Sequence, residues 1–450
     1  MSRGIVGLVR SAMLGNVLGS ALVRRAGSVA VVSAAGTALA FLMQLALARA
    51  LGVVSYGTYS IAIAWVAIAL IPSKLGFDTS TVKFVAEYSA DRDFVKADAV
   101  LSFARRTALI IGLVAGLTLG MWLYVKQATV GPGVALTVAL LLPLGAYSEI
   151  SAAALRGLNQ VAQALTGDSV IRPLAVLLLL PLLYVLSPSV GATSALLLYG
   201  VGTLCSILWL RRCLAMHGLQ TTTSYGDPVI RANWIRTSLP LMFANGFLVL
   251  MYSLDTVMIG LLRAPEDAGL YSVCSRLAIV VLFAMNAAQF AAAPMFAKAG
   301  REQTRADMLA LVRSFNLVAA AIAAPTALAV FILASTLLGL FGHEYQVGAN
   351  VLRVLVAMQL INVLTGPVGT LLGMLGLQRS LAYLIAGGLL INFLLNLYFI
   401  PLYGAAGAAW SSLIAHTTWN VAGAWTIRRR LGVDCTVLSI LPVPGARPLP

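Results

Sequence analysis

SLPLMFANGFLVLMYSLDTVMIGLL, residues Ser238–Leu262, decides how the whole chain reads. A run of about 20 apolar residues matches the ~30 Å hydrocarbon core of a bilayer. This run nevertheless carries Asn245 near its middle and Asp255 near its far end. A carboxylate in such a span costs about 2.5–3.5 kcal/mol on insertion scales. Such a group is retained for a pathway, a coupling ion or a helix contact, and the remainder of the chain reads as a frame around it.

Composition places that frame in a membrane. Hydrophobic residues make up 60% of the 450 residues and charged residues 10%, with a mean hydropathy of +0.93. Soluble domains average roughly 25% charged. Only helices and closed barrels span bilayers, and the alternating ten-residue segments of a barrel are missing, so the chain is an all-α polytopic membrane protein. Four cysteines without CxxC spacing and three scattered histidines argue against a metal centre.

Twelve apolar segments reach spanning length. In the first half they are Ser28–Leu47, Thr58–Leu75, Thr107–Val125, Val134–Ala154, Ile171–Leu186 and Thr193–Leu210. In the second half they are the opening stretch, then Leu270–Phe290, Leu317–Phe341, Leu355–Leu375, Ala382–Leu402 and Ala405–Ile427. Charge tests this count. With a cytoplasmic N terminus and alternating spans, 24 of the 30 basic residues fall on the cytoplasmic side. The outer loops hold only Arg49, Lys126, Arg263 and Arg353. That is the positive-inside pattern, and losing one internal span would reverse it downstream. The net charge of +15 is therefore a topology signal with contact to membrane lipids as a by-product, and nucleic acid is excluded as a partner. Both termini are assigned to the cytoplasm.

The chain also repeats. Tyr56-Gly57-Thr58-Tyr59-Ser60 resembles Ala268-Gly269-Leu270-Tyr271-Ser272 at an offset of 212 residues, and Leu155–Gln160 resembles Gly373–Gln378 at an offset near 218. Both halves end on arginines, Arg211-Arg212 and Arg428-Arg429-Arg430. An even number of spans between copies makes the repeat parallel, a transporter design with its site at the repeat interface. The expected organisation is a basic interfacial helix or tail over 1–26, a six-helix lobe over 27–215 and a cytoplasmic linker over 216–232. A second six-helix lobe over 233–430 and a cytoplasmic tail over 431–450 follow, with a central cavity between the lobes. Arg3, Arg10 and Arg24, spaced by multiples of seven, put one basic face on the N-terminal helix.

Five stretches carry a family resemblance: ARALGVVSYGTYSIA (48–62), GFDTSTVKFVAEYSA (76–90), SLDTVMIGLLRAPEDAGLYSVCSRLA (253–278), GHEYQVGANVLRVL (342–355) and NFLLNLYFIPLYGAAGAAWSSLIAH (392–416). In this order they resemble the Wzx-type bacterial polysaccharide flippases, over about residues 27–430. These share a superfamily with multidrug extruders and lipid II flippases. The resemblance implies twelve helices in two lobes, alternating access in the bacterial inner membrane, and a substrate of undecaprenyl-pyrophosphate bearing a short oligosaccharide. It also implies polysaccharide polymerase and chain-length proteins as partners. A cation-coupled small-molecule efflux carrier on the same fold is the alternative. A pathway polymerase or ligase is disfavoured, because no large outer loop and no paired acids with metal-ligand spacing occur.

A diphosphate calls for cations. Lys74, Lys83, Arg49 and Arg276 are the candidates, with Asn245 as a sugar-facing polar group. Lys83 falls where the family usually has Arg or Lys, although a membrane-surface anchor explains it equally well. Asp255 falls where the family often has an acid. It has three readings: coupling to a proton gradient, binding a cation such as sodium, or an ion pair with Arg276 in the next span. Glu149 is a lumen-lining acid or an ion-pair partner, Asp168 and Arg172 pair or cap locally, and Asn392 and Asn396 bond across helices. Gly112, Gly116 and Gly120 form a packing stripe. Pro240, Pro294 and Pro325 are expected to bend their spans, and no cofactor is implied.

Overall fold

A computed structural model describes residues 21–126, 131–186, 190–219, 227–282, Met285, Phe296 and residues 305–440. The first twenty residues of the expected interfacial helix, Pro294, much of the expected eighth span and the proline-rich end of the tail lie outside these residues. Every described element is a helix. In chain order these are α1 (Ala21–Lys74), α2 (Phe77–Ala90), α3 (Phe94–Lys126), α4 (Pro132–Gly157), α5 (Val161–Leu165), α6 (Arg172–Leu186), α7 (Ala192–Met216) and α8 (Pro228–Leu262). Then come α9 (Pro265–Ala278), α10 (Arg305–Ile332), α11 (Ala334–Gly339), α12 (Ala349–Leu364), α13 (Val368–Met374) and α14 (Gln378–Leu431).

Nine helices among the described residues are long and apolar enough to cross a membrane. Two of them, α1 and α14, each contain two of the expected spans. A straight helix of 54 residues would be about 80 Å long, far beyond a bilayer, and both break where a glycine leaves helical geometry. Gly52 has φ 69° and ψ 173°, and Gly404 has φ 56° and ψ −131°. Positive φ is open to glycine at no steric cost, so each long helix is broken at a single residue. The helix after Gly52 starts with Val53 N–H donating to the Glu344 carboxylate at 3.1 Å, which meets an otherwise orphaned helix-end donor.

The expected tenth span, Leu355–Leu375, is displaced. Its helix begins at Ala349 and stops at Leu364, and a short helix resumes at Val368. Gly366 at φ 83° and Pro367, which has no N–H to give, end the first segment. The break is filled from the C-terminal side: Asn316 Nδ2 donates to Cys435 O at 2.9 Å, and Cys435 Sγ lies 3.6 Å from Thr365 O. Residues just after α14 are thus docked rather than a free tail. Burial pushes the Cys435 thiol up to about 12. Maleimide at pH 8 should label Cys435 at least about 100-fold more slowly than a free thiol, by peptide mass spectrometry. Labelling as fast as glutathione would show that this segment does not dock.

The chain forms two compact units that cut across the sequence halves. One comprises residues up to Leu47 with Ala69–Phe243, the other Ala48–Ile68 with Ala244 onward. By this division the chain passes from the first unit to the second inside α8. In the first unit the α3 glycine stripe lies on α4: a Cβ at Gly116 would sit 2.4 Å from Ala139 O. Phe77, Val100, Leu101, Ile150, Leu210 and Trp234 form its core, and the Trp234 indole donates to Tyr88 Oη at 3.1 Å. In the second unit the arm after Gly52 crosses α9 at Gly57 and Gly269. A Cβ on Gly57 would lie 1.8 Å from Pro265 O, and one on Gly269 would lie 2.3 Å from Val53 O. That contact is what carries residues 48–68 into the second unit.

Candidate functional site

Asp255 is buried at 4% exposure in the second unit. The α8 turn around it buries Met251, Met258 and Ile259 as well, so its charge has no route to bulk water along its own helix. Three side chains from two other helices supply donors. Tyr271 Oη, on α9, and Ser412 Oγ, on the arm of α14 after Gly404, both donate to Oδ2. Asn396 Nδ2, on the arm before Gly404, donates to Oδ1 at 2.7 Å. A second layer ties these together: Asn396 Nδ2 also reaches Asn392 Oδ1 at 3.1 Å, and Asn392 Nδ2 donates to Ser412 Oγ at 3.2 Å. A buried carboxylate is tolerable only when such donors replace its water. The hairpin at Gly404 is what brings Asn392, Asn396 and Ser412 to one face.

The expected Asp255–Arg276 ion pair is not formed. Arg276 is exposed, and among the described residues no ion pair includes Asp255. Arg276 lies five residues beyond Tyr271, a rotation of about 140° around α9, so a helix that aims Tyr271 at Asp255 turns Arg276 away. The two asparagines, by contrast, bond across helices as their spacing suggests. Tyr271 and Ser412 were not singled out from sequence. Tyr271 sits in the repeated Gly-x-Tyr-Ser pattern, which was a signal for it; Ser412 had none.

The first unit holds three further charged constellations. Lys74, at the end of α1, is ion-paired to Asp78 at 3.2 Å and to Glu149 on α4. It precedes a two-residue break in which Leu75 and Gly76 have φ 48° and 78°. Lys74 and Glu149, placed in different roles by sequence, are therefore partners, and Lys74 already faces two carboxylates. Removing the cation leaves two acids together, a change that costs several kcal/mol when fully buried. Glu149 is 36% exposed at its side chain, and water screens part of this. Lys74→Met should lower stability by about 2 kcal/mol in detergent thermal unfolding, and adding Glu149→Gln and Asp78→Asn should restore most of it. An unchanged melting temperature in Lys74→Met would refute the pairing.

Asp168 and Arg172 are also paired, across a π-helical turn, Thr166–Ile171. Ser148 and Ser206 donate to Asp168 Oδ1 at 3.0 and 2.9 Å, and Arg172 Nη1 donates to Tyr199 Oη at 2.9 Å. Such turns concentrate at functional sites. Arg105 is 3% exposed. It donates to Ser151 Oγ at 3.0 and 2.8 Å and lies over the Tyr147 ring at 4.6 Å. Lys83 is exposed beside Glu87 at 3.8 Å. Arg49 is exposed and its Nε donates to Leu340 O, and Asn245 is half-buried.

Residues 22–299 match the model of the family described as polysaccharide biosynthesis protein. The chain belongs to this family. A second family model, MatE, matches residues 240–398 of this polysaccharide biosynthesis family member. No curated protein matches it. Solved structures do. An inward-facing multidrug resistance MATE family transporter of the MOP superfamily is 16% identical, with a TM-score of 0.67 over 87% of this chain and 94% of its own. The lipid II flippase MurJ, inward closed, is 12% identical, with a TM-score of 0.70 over 89% of this chain and 87% of its own. A MOP superfamily transporter from Pyrococcus furiosus, with a binding pocket of reversed polarity, is 16% identical at a TM-score of 0.59, over 91% and 95%. At these identities the likeness establishes the fold: the polysaccharide biosynthesis family member is a polytopic helical membrane protein with the MOP transporter fold.

Proposed function

We propose that this protein is a flippase that moves undecaprenyl-pyrophosphate-linked oligosaccharide repeat units across the bacterial inner membrane by alternating access, for surface polysaccharide. The observation that carries this reading is the polysaccharide biosynthesis match over residues 22–299. Asp255 is the coupling group in this reading. Its carboxylate rests on three neutral donors rather than on a fixed cation, so an incoming proton or sodium ion has an unneutralised charge to act on. Exposed Arg276 and Lys83 are open to a diphosphate from solvent, Lys83 from beside Glu87, whereas buried Lys74 first has to leave its two acids. The polymerase and chain-length proteins are the partners this reading supplies.

Deletion in the native host tests it. Lipid-linked repeat units should accumulate on the inner leaflet while surface polysaccharide disappears. Unchanged polysaccharide would overturn the assignment. The MatE match over 240–398 favours a second reading, cation-coupled efflux of small molecules. Under that reading the deletion strain keeps its polysaccharide and becomes sensitive to cationic dyes.

A further inference from the structure

Asp168 in the first unit and Asp255 in the second are held by similar sets of donors. Asp255 takes the hydroxyls of Tyr271 and Ser412 and the amide of Asn396. Asp168 takes the hydroxyls of Ser148 at 3.0 Å and Ser206 at 2.9 Å and the guanidinium of Arg172, all three on Oδ1. The third donor is what differs. A carboxylate with neutral donors alone keeps its full charge, whereas one paired with a guanidinium sits in a site of zero net charge. Access does not explain the difference. The Asp168 side chain is 26% exposed and Asp255 is 4% exposed, so burial protects Asp168 less than Asp255.

Arg172 is clamped in this position. Its Nη1 donates to Tyr199 Oη at 2.9 Å, and its Cζ lies 5.1 Å from the centre of that ring. A Cβ on Gly202 would lie 3.0 Å from Arg172 Cγ and 2.9 Å from Arg172 O, so the glycine lets α7 close on the arginine stem. Acid and cation are four residues apart at the end of one π-helical turn, so they travel together. A guanidinium does not lose its proton in proteins, so no pH in the physiological range undoes the pair. The other charged groups around it are few. Glu149 follows Ser148 on α4 and is bonded to Lys74, and Tyr199 is on α7. α5 brings none, and neither does the α1 turn at Gly36 that touches Ser169.

We propose that Arg172 is a built-in counter-ion that keeps the first unit out of ion coupling, so that each transport cycle carries a single coupling ion, at Asp255. This rests on the reading of Asp255 as the coupling group. Arg172 stands where a proton or a sodium ion would neutralise Asp168. A further cation in that site would leave it with a net positive charge away from water, which is the costly state. Taking the guanidinium away reverses this. It leaves a carboxylate with the hydroxyls of Ser148, Ser206 and Tyr199 around the vacated space. Oxygen ligands of this kind suit a hard cation, and the unpaired acid also accepts a proton. Arg172 therefore determines how many ions the protein takes.

The test counts the cations bound by the full chain in nanodiscs. Sodium is counted with the radioactive ion at pH 8, and protons from the infrared band of protonated carboxyl groups across pH 5–9 in sodium-free buffer. Wild type should bind one cation per chain, by one method or the other, and D255N none. R172M should bind two, and D168N/R172M should return to one. R172K, which keeps the charge, should bind one. If R172M does not accumulate, R172Q keeps a neutral donor for Asp168 and should also bind two. One cation in R172M or R172Q overturns the proposal, and so does a wild-type cation that is lost in D168N. Wild-type binding that survives in D255N, together with a gain in R172M, would instead remove Asp255 as the coupling group and leave Arg172 as the counter-ion of Asp168.

Discussion

Asp255→Asn cuts surface polysaccharide below about a tenth of the wild-type level while the protein still accumulates. Asparagine has the shape of aspartate and keeps one oxygen for Asn396 Nδ2, which sits 2.7 Å from Oδ1. The hydroxyls of Tyr271 and Ser412, now donating to Oδ2, can rotate to accept from the new amide. Folding therefore loses about 1–2 kcal/mol, within the margin of most proteins. What disappears is the charge. Hydrogen bonds to a charged group are worth about 1.5–3 kcal/mol each, and an ion drawn to a carboxylate is not drawn to an amide. A tenfold loss corresponds to about 1.4 kcal/mol, which one such interaction supplies. The comparison needs a strain lacking its own copy, with protein amount measured in the membrane fraction. Wild-type polysaccharide from D255N would mean that Asp255 only holds the Gly404 hairpin against α8 and α9.

Gly57→Val removes the folded protein altogether. A Cβ at Gly57 meets the Pro265 carbonyl oxygen at 1.8 Å and the Gly269 nitrogen at 3.0 Å. These are backbone atoms, so no side-chain rotation relieves the clash, and the arm after Gly52 has to move away from α9. Overpacking a core costs about 1–3 kcal/mol when side chains can adjust, and backbone against backbone exceeds that. Gly57→Ala should fold with lowered thermal stability, and Gly57→Val should be absent from the membrane fraction. Wild-type melting of Gly57→Val in detergent would show that the helices do not cross there. Gly57 and Gly269 are equivalent positions of the 212-residue repeat.

Much of this architecture is legible in the residues alone. Runs such as Ser238–Leu262 have to be spans because water would be the wrong solvent for them. The repeat around Tyr56–Ser60 and Ala268–Ser272 is legible in the sequence, while the close approach of Gly57 and Gly269 is not. Asp255 stands out because an acid in a long apolar run has to be compensated. Its compensation was not legible. Hydropathy gives the depth of a residue in the membrane but not the rotation of its helix, because an apolar span looks alike on every side. Only packing chose Tyr271, Asn396 and Ser412 over Arg276, joined Lys74 to Glu149 and buried Arg105. Position along the chain settled which residues lie within the bilayer, and the turn of each helix against its neighbours settled which of them meet.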